Sequence, residues 1–479
     1  IGEQALDQVD VADSLRTQEA ELRSDIAFYE RKVLESQNKN KVKEQAQLRL
    51  WEGQLFALKQ KYQSLQIQLE KKYPHYQELK QQSESLDIAY IQAHYLNEGN
   101  LLLEYFDGAE DLYLFAIGKN HAEVLVIPQK EELLQQVEAL LPLLSKPPNS
   151  KNFVAEIEEF NQQSHALYQA LLAPALKQVG PIHRLIIVPD AELNYLPFEV
   201  LQFEHNAIQD YRLEAKDYLI EKYEVSYLFS STLLSQEKSK RSASLPFVGF
   251  APSFQGTFAE ARSCSQSELY GLQCNQSEVA TINQHFNGQV FAKDAANKNN
   301  FLQHIEDASI IHLATHACVN LEEAALSQIF FSDDYLTAVE LKNLDLSADL
   351  AVLSACNTGS GKMEAGEGLM SLSRSFTIAG CPSTLMSLWS VDDCATSQIM
   401  IEFYEQLHTG HDKATAIRNT KLDYLQSASK AEAHPYYWSA FVLSGSTQAV
   451  FAHSSNWLVY GSIIAAVLLL VWGWQRKTA

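Results

Sequence analysis

The sequence predicts an α/β fold with a mostly parallel sheet, helices on both faces of that sheet, and a division into two halves. Short apolar runs of strand length alternate with amphipathic stretches of helical length through most of the chain. Such alternation favours crossover connections between parallel strands, which cover both sheet faces with helices. With 479 residues, 46% of them hydrophobic, the chain is long and apolar enough for two or three domains.

Composition excludes several classes of function. A net charge of -22 argues against a nucleic-acid binder that relies on phosphate contacts. Six cysteines in a chain this long do not predict a disulfide scaffold. The sequence contains neither a CxxC pair nor an HExxH motif, so a zinc site has little support. The first residue is Ile1 rather than Met, which favours a trimmed or processed product.

Residues 1–76 predict a hairpin of two antiparallel helices joined near Asn38–Asn40. Both helices carry apolar residues at alternating spacings of four and three, which is typical of a buried stripe. The stripe residues are Leu22, Ile26, Tyr29 and Val33, then Trp51, Leu55, Leu58, Tyr62, Leu65 and Leu69. Tyr73-Pro74 ends the second helix. One hairpin buries its stripe poorly, so it either ends a helical repeat array, docks a partner, or packs on its own domain.

Residues 85–235 form the predicted first half of the sheet domain. Its predicted strands are Leu101–Phe106, Leu112–Ile117, Ala122–Ile127 and Arg184–Pro189, and its predicted helices are Glu131–Leu144 and Phe153–Val179. Asp107-Gly108 is a turn signal between the first two strands. The polar stretch Gln236–Ser244 predicts a linker to the second half.

Residues 245–447 form the predicted second half. Its predicted strands are Phe247–Ala251, Ser309–Ala314, Leu350–Ala355, Thr384–Leu388 and Ala440–Leu443, and its predicted helices are Glu278–Phe286, Leu369–Ile378, Thr396–Leu407 and Lys413–Gln426. In a sheet of this kind, ligands and catalytic groups collect beyond the carboxyl ends of the strands.

The last predicted element is a transmembrane helix over residues 457–474. This run has no charged side chain, and its length of about 27 Å just spans a hydrocarbon core of about 30 Å. Trp457 and Trp474 bound it as an aromatic belt would. The sequence thus predicts a single-pass membrane protein, with a buried soluble helix as the alternative. The side of the membrane on which the main domain lies is undecided. Arg476 and Lys477 favour a cytoplasmic tail and a periplasmic main domain, which needs a signal peptide; otherwise the main domain is cytoplasmic.

Two reactive side chains follow predicted neighbouring strands. His316 follows Ile310–Thr315, and Cys356 follows Leu350–Ala355. A thiol needs a base or a cationic neighbour to become a nucleophilic thiolate, and histidine supplies either. The backbone amides of Cys356 and Ala317 are placed to stabilise an oxyanion.

A structural interpretation of the same residues stays open. A cysteine near a strand end is often a small core residue, and an isolated histidine is usually structural. His312 would lie about 13 Å from His316 along a strand, so it is predicted to pack rather than to join a metal site. The other five cysteines have no setting comparable to that of Cys356.

Around this pair the sequence resembles the CHAT domain, a family of caspase- and separase-like cysteine peptidases commonly fused to tetratricopeptide repeats. The resemblance covers roughly residues 85–447. It rests on Ile311-His312-Leu313-Ala314-Thr315-His316, Leu353-Ser354-Ala355-Cys356-Asn357-Thr358-Gly359, Val188-Pro189-Asp190, Leu196-Pro197-Phe198-Glu199, Gly366-Glu367-Gly368-Leu369, Ser387-Leu388-Trp389-Ser390-Val391-Asp392-Asp393 and His434-Pro435-Tyr436-Tyr437-Trp438-Ser439-Ala440-Phe441.

The resemblance implies a caspase-like fold that hydrolyses peptide bonds with His316 as base and Cys356 as nucleophile, without a metal or organic cofactor. Many relatives carry Gly where this chain has Ala317, and a requirement for positive φ there would distort the oxyanion hole. The first half then resembles a second caspase-like unit without a dyad. We interpret Asp190 as a turn cap and Glu199 as part of a structural ion pair. The stretch Gly359–Gly368 is predicted to be a loop beside the active site.

These features predict a membrane-anchored cysteine endopeptidase that acts on protein substrates and is gated by a partner on the N-terminal helices. No nucleic-acid partner is predicted. One alternative is an inactive caspase-like signalling scaffold or protein-interaction module. Another is a cysteine hydrolase of a different substrate class.

The segment Trp389–Asp393 carries the prediction on specificity. It follows a strand expected beside the Cys356 strand, so it can form a wall of the substrate pocket. By its spacing from Trp389, Asp393 matches an aspartate of separases that faces a substrate arginine, and a carboxylate pairs well with guanidinium. In the alternative interpretation, Asp392 and Asp393 cap the helix that starts near Ala395.

Overall fold

The structure is a computed structural model that describes residues 13–37, 45–73, 87–148, 151–177, 179–205, 210–212, 217–235, 243–254, 271–318, 320, 324–354, 362–364, 368–370, 372–389, 391 and 393–451. Cys356, most of the predicted linker and all of residues 457–474 lie outside these ranges.

Helices and strands alternate along the described chain. The α-helices are α1 (Asp13–Gln37), α2 (Gln45–Lys72), α3 (Ile88–His94), α4 (Lys130–Ser145), α5 (Phe153–Leu171), α6 (Ala173–Leu176), α7 (Leu219–Lys222), α8 (Asn275–Phe286), α9 (Lys298–His304), α10 (Ala338–Leu341), α11 (Leu372–Ile378), α12 (Asp393–His408), α13 (Lys413–Ser427) and α14 (Pro435–Trp438). The strands are β1 (Asn100–Asp107), β2 (Leu112–Gly118), β3 (His121–Ile127), β4 (Arg184–Val188), β5 (Glu224–Tyr227), β6 (Val248–Ala251), β7 (Gln289–Ala292), β8 (Ile310–Leu313), β9 (Ala317–Cys318), β10 (Gln328–Phe330), β11 (Tyr335–Thr337), β12 (Leu350–Leu353), β13 (Lys362–Glu364), β14 (Gly368–Met370), β15 (Ser383–Ser387) and β16 (Phe441–Gly445).

One large mixed sheet runs through both halves. Its strand order is β3-β2-β1-β4-β5-β16-β15-β12-β8-β6-β7, and it contains 11 strands in the described chain. Most neighbouring strands are parallel, whereas β1-β2, β2-β3 and β15-β16 are antiparallel. The two halves meet where β16 pairs with β5, at Ser444 and Tyr227. The two halves therefore share one continuous sheet instead of forming two separate sheets.

Apolar residues on alternate sides of the strands build cores on both faces of this sheet. On β8, Ile311 and Leu313 belong to one core and Ile310 to the other. Fully buried parallel strands need apolar residues on both faces, which is why they are near-continuous apolar runs in the sequence. The strands that the sequence predicts accordingly lie within two residues of observed ones. The strands β5, β7, β9, β10, β11, β13 and β14 were not predicted, and β14 occupies the start of the predicted helix Leu369–Ile378.

The helices α1 and α2 form the predicted hairpin and pack against the second half. Their shared stripe includes Leu22, Leu58, Leu65 and Leu69, all of them buried. The helix α2 ends at Lys72, next to the Tyr73-Pro74 stop signal.

Arg31 attaches the hairpin to the sheet domain. Its guanidinium lies 3.1 Å from the Glu340 carboxylate and 4.3 Å from the centre of the Tyr335 ring. Burial raises the pKa of Glu340, but Lys298 and Arg31 outweigh that effect and hold its pKa below the usual value. The hairpin thus rests on the segment β11–α10.

The structure does not support the predicted transmembrane helix or, with it, the predicted membrane localisation. Within the ranges that the structure describes, no helix is both long enough and apolar enough to cross a bilayer. The longest helices, α1 and α2, carry charged residues along their whole length, and charged groups are expensive to place in a hydrocarbon core. The predicted span at 457–474 itself lies outside the described residues.

Candidate functional site

The strands that lead to His316 and Cys356 are parallel neighbours in the sheet. The register of β8 and β12 pairs Leu313 with Leu353. His316 lies three residues after Leu313, and Cys356 lies three residues after Leu353. Both segments thus leave the sheet at the same edge and at the same level. Cys356 is outside the described part of the chain, so its role in a dyad stays a prediction.

Main-chain hydrogen bonds hold His316 in place. Its carbonyl oxygen accepts from the Phe330 amide at 2.9 Å, and the hydroxyl of Thr315 donates to the Phe330 carbonyl at 2.6 Å. The imidazole is partly exposed, and its centre lies 4.9 Å from that of the Phe254 ring. These contacts fix the backbone of the candidate base and place an aromatic ring on its side chain.

The structure removes the concern about Ala317. This residue lies in β9, paired with Ile329 of β10, and it is not among the residues with positive φ. Alternate pairs of an antiparallel ladder are hydrogen-bonded. Because the Phe330 amide donates to His316, the Ala317–Ile329 pair is a non-bonded one, and the Ala317 amide points away from β10. An alanine therefore fits this position without backbone strain.

Asp393 lies at the first position of α12 and contacts the neighbouring helix α8. Its Oδ2 atom accepts hydrogen bonds from the amides of Gln273 and Cys274, each at 2.7 Å. Cys274 is the N-cap of α8, where a negative charge is favourable. The carboxylate thus stabilises the start of a different helix from its own. A role for Asp393 in substrate binding stays a prediction.

A disulfide joins the same two segments. Cys274 and Cys394 are bonded, with their Cα atoms 5.2 Å apart and a sequence separation of 120. The sequence offered no signal for this pair, because nothing local distinguishes either cysteine. In the described chain, Asp393 and the two sulfur atoms lie close enough together to resemble a metal site. Metal binding requires a thiolate, however, and sulfur atoms in a disulfide are not thiolates.

His312 packs inside the domain, as predicted. It is fully buried, with Nδ1 3.0 Å from the Tyr404 hydroxyl and Nε2 2.9 Å from the Glu278 carboxylate. These partners lie on α12 and α8, so one side chain of β8 connects both helices that cover this face of the sheet. Burial and the nearby Glu278 raise the pKa of Tyr404 well above its usual value, which keeps its hydroxyl protonated.

The polar signatures of the first half are structural, as interpreted from the sequence. Asp190 accepts a hydrogen bond from the Ala191 amide and therefore caps a turn. Glu199 forms a buried ion pair with Lys421, 2.9 Å away, and accepts a further hydrogen bond from Tyr227.

Comparison with known proteins shows the family. Residues 161–446 match the CHAT domain. The chain is 26% identical over 340 residues to human tetratricopeptide repeat protein 28 and 25% identical over 345 residues to its mouse counterpart. In both cases the match covers 60% of this chain and 13% of the relative. The chain therefore belongs to the CHAT domain family, although it spans only a small part of the length of these relatives.

Among solved structures, weak matches in fold include a separase–securin complex and a gingipain. The separase of the Saccharomyces cerevisiae separase–securin complex matches with a TM-score of 0.46 and 9% identity, covering 74% of this chain and 31% of that one. Gingipain RgpB of Porphyromonas gingivalis, in the complex of its pro- and mature domains, matches with a TM-score of 0.37 and 11% identity. That match covers 68% of this chain and 78% of the gingipain chain. The described architecture is a mixed α/β sheet domain, as the sequence predicts.

Proposed function

We propose that this chain is a CHAT-type cysteine endopeptidase that cleaves protein substrates with His316 as base and Cys356 as nucleophile. The observation that carries the proposal is the register of β8 and β12, which gives both residues the same offset from paired positions. Membership of the CHAT family supports it independently.

In the proposed reaction, the His316 imidazole takes the proton from the Cys356 thiol, and the thiolate attacks the carbonyl carbon of the scissile bond. The amides of Ala317 and Cys356 stabilise the resulting oxyanion. Collapse of this intermediate expels the amine, which takes the proton from His316. Water then hydrolyses the thioester and restores the thiol. The orientation of the Ala317 amide, away from β10, supports its part in this scheme.

The proposal includes a protein partner that acts through α1 and α2. Arg31 connects α1 to Tyr335 and Glu340, and β11 pairs with β10, whose Phe330 holds His316. A partner that shifts the hairpin therefore has a short route to the candidate base. The curated relatives are named for tetratricopeptide repeats, which supports a protein as the partner.

The test compares cysteines within one molecule. Burial raises the pKa of the Cys318 thiol to about 12, so about one in 10⁵ of these thiols is ionised at neutral pH. Cys381 is fully buried. We expect iodoacetamide at pH 7 to alkylate Cys356 at least about 100-fold faster than either of these internal controls. The measurement is peptide mass spectrometry over a time course.

The variant His316→Asn assigns the activation. We expect it to slow alkylation of Cys356 by at least about tenfold, because the thiolate loses its base, and to leave Cys318 unchanged. If Cys356 reacts no faster than Cys318 and Cys381, with candidate protein partners present as well as absent, the peptidase mechanism is lost and an interaction module is favoured.

The proposed specificity is for Arg or Lys before the scissile bond, through Asp393. The variant Asp393→Asn keeps an oxygen that accepts the two amide hydrogen bonds at the start of α8 but removes the charge. We expect it to lose the preference for basic residues in a peptide-library digest while the free energy of unfolding changes by less than about 1 kcal/mol. A wild-type preference for apolar or acidic residues at that position would contradict the assignment.

A further inference from the structure

Asn275, the first residue of α8, ties two strand ends of the large sheet together. Its side chain is 1% exposed, and its Nδ2 donates to the carbonyl oxygens of Pro252 and Ala314, at 2.9 and 3.1 Å. Pro252 follows β6 and Ala314 follows β8, so one amide group holds both segments at the carboxyl edge of the sheet.

Both segments lead directly to the candidate base. Ala314 lies two residues before His316, and its own amide donates to the Phe250 carbonyl at 2.9 Å. Pro252 lies two residues before Phe254, whose ring contacts the imidazole. Displacing the Asn275 side chain would therefore shift the imidazole and the ring that it packs on.

The carbonyl oxygen of the Asn275 side chain adds no hydrogen bond that would stabilise the fold. Its Oδ1 atom is buried and has no hydrogen-bond partner in the part of the chain that the structure describes. An unpaired buried acceptor costs free energy, so an apolar residue of the same size would lose two bonds but also relieve this cost. The clearer benefit of an asparagine here is that its Nδ2 atom fixes the positions of the Pro252 and Ala314 carbonyl groups.

The residue before Asn275 is fastened to a second helix. Cys274 forms the disulfide with Cys394, and the amides of Gln273 and Cys274 donate to the carboxylate of Asp393. A covalent bond and two charge-assisted hydrogen bonds thus fix the start of α8 to the start of α12.

We propose that Asn275 is a positioning residue for His316 and that the Cys274–Cys394 disulfide holds Asn275 in place, so that its reduction loosens the candidate site. The inference rests on the proposed role of His316 as base. Reduction by a dithiol adds two electrons and two protons: the S–S bond breaks, each sulfur becomes a thiol, and the reagent closes its own disulfide.

The first experiment uses Asn275→Leu in the full chain, with Asn161→Leu as the matched control. Asn161 is also a buried helical asparagine with a side-chain hydrogen bond, to Gln202, but it lies on α5 in the first half. The readout is hydrogen exchange of peptides that cover residues 310–318. We expect exchange there to be at least about tenfold faster in Asn275→Leu and unchanged in Asn161→Leu.

A second readout separates positioning from a loss of stability. We expect the pH profile of Cys356 alkylation to move towards higher pH in Asn275→Leu, because a displaced imidazole stabilises the thiolate less. A merely destabilised but correctly positioned site would keep its midpoint. Equal effects of Asn275→Leu and Asn161→Leu on exchange and on the profile would overturn the assignment.

The disulfide is tested without any substitution at Asn275, which covers the case in which Asn275→Leu fails to fold. We expect dithiothreitol to accelerate exchange over residues 310–318 in the wild type and to have no such effect on Cys274→Ser/Cys394→Ser, which exchanges rapidly from the start. Acceleration confined to residues 271–277 would overturn the link to His316. Rapid alkylation of both cysteines without reductant, or bound zinc in the purified chain, would overturn the redox dependence.

These readouts distinguish the failure of this inference from that of the proposed function. If Cys356 is unreactive in every state, the proposed function fails, while the exchange data still decide whether Asn275 and the disulfide position His316. If Cys356 is reactive but its profile and the exchange are insensitive to Asn275 and to reduction, only this inference fails.

Discussion

The carboxyl ends of the strands are held differently in the two halves of the sheet. In the first half, polar side chains do this work: Asp190 accepts amide hydrogen bonds from Ala191 and Asp107 after β4, and Glu199 is paired with Lys421. In the second half, the segment after β8 is held through its carbonyl groups, those of Ala314 and His316.

The difference shows how one sheet domain can combine a structural brace, the Glu199–Lys421 ion pair, with a candidate functional site. A charged side chain that is buried against a partner stabilises the fold but is unavailable for chemistry. In the second half, hydrogen bonds to the carbonyl groups hold the backbone of this segment, so the imidazole of His316 is not used up in holding the fold together. Three predictions test this contrast, beginning with the largest effect.

Breaking the buried ion pair, which joins Glu199 of the first half to Lys421 of the second, should destabilise the fold far more than it perturbs the candidate site. Lys421 and Glu199 are 1% and 3% exposed. The variant Lys421→Met leaves a buried carboxylate unpaired, so we expect urea denaturation to show a loss of about 3–5 kcal/mol in the free energy of unfolding. The double variant Glu199→Leu/Lys421→Met, which removes both charges, should recover most of this loss.

The alkylation rate of Cys356 in the folded fraction supplies the other side of the comparison. It should stay within about twofold of wild type in Lys421→Met, since the brace is separate from the main-chain bonds around His316. If the reactivity of Cys356 falls in parallel with the free energy of unfolding, the ion pair and the candidate site are not independent.

Acid should weaken the joint between the halves through His434. This residue is the N-cap of α14, and its ring packs on Tyr211 of the first half, with centres 4.6 Å apart. Burial lowers its pKa from 6.5 to about 4. Between these values the unfolded chain binds the proton and the folded chain does not, so stability is present above pH 6.5 and falls as the pH approaches 4.

The expected loss from this one group is about 3 kcal/mol across that range. The variant His434→Asn keeps a side-chain acceptor for the Tyr436 amide but does not titrate. Urea denaturation at several pH values should show a correspondingly flatter profile for the variant. Parallel profiles for variant and wild type would assign the acid sensitivity to other groups.

The smallest expected effect concerns the attachment of the hairpin. Replacing Arg31 by Met removes the ion pair with Glu340 and the charge over the Tyr335 ring, at an expected cost of about 1 kcal/mol. Amide exchange of α1 should rise. Lys59→Met is the matched control, because its ion pair with Glu30 lies within the hairpin and is largely exposed. Equal effects of the two variants on exchange would show that Arg31 does not anchor the hairpin.

The sequence predicted local structure well and long-range structure poorly. Strands such as β8 and β12 are continuous apolar runs, and their neighbouring positions follow from the parallel alternation of strands and helices. Glu199 could be assigned to an ion pair, but its partner Lys421 is 222 residues away, and no local pattern points to it. The same holds for Cys274 and Cys394.

Two expectations depended on features that a single segment of sequence does not show. The expectation of a membrane span over residues 457–474 rests on length and apolarity alone, and no helix of the described residues supports it. The concern about Ala317 applies only if the backbone there requires a positive φ, and the structure places Ala317 in the extended strand β9. The backbone conformation of Ala317 is set by the pairing of β9 with β10, and the sequence of one segment does not show which strand it pairs with.

The position of β16 has a consequence for how the chain is made. Of the strands described, β16 is the last in sequence, yet it lies in the interior of the sheet between β5 and β15. During synthesis, these two strands therefore present open edges until Gly445 leaves the ribosome. Open edges recruit other strands, so we expect the nascent chain to be most vulnerable to misassembly just before its sheet can close.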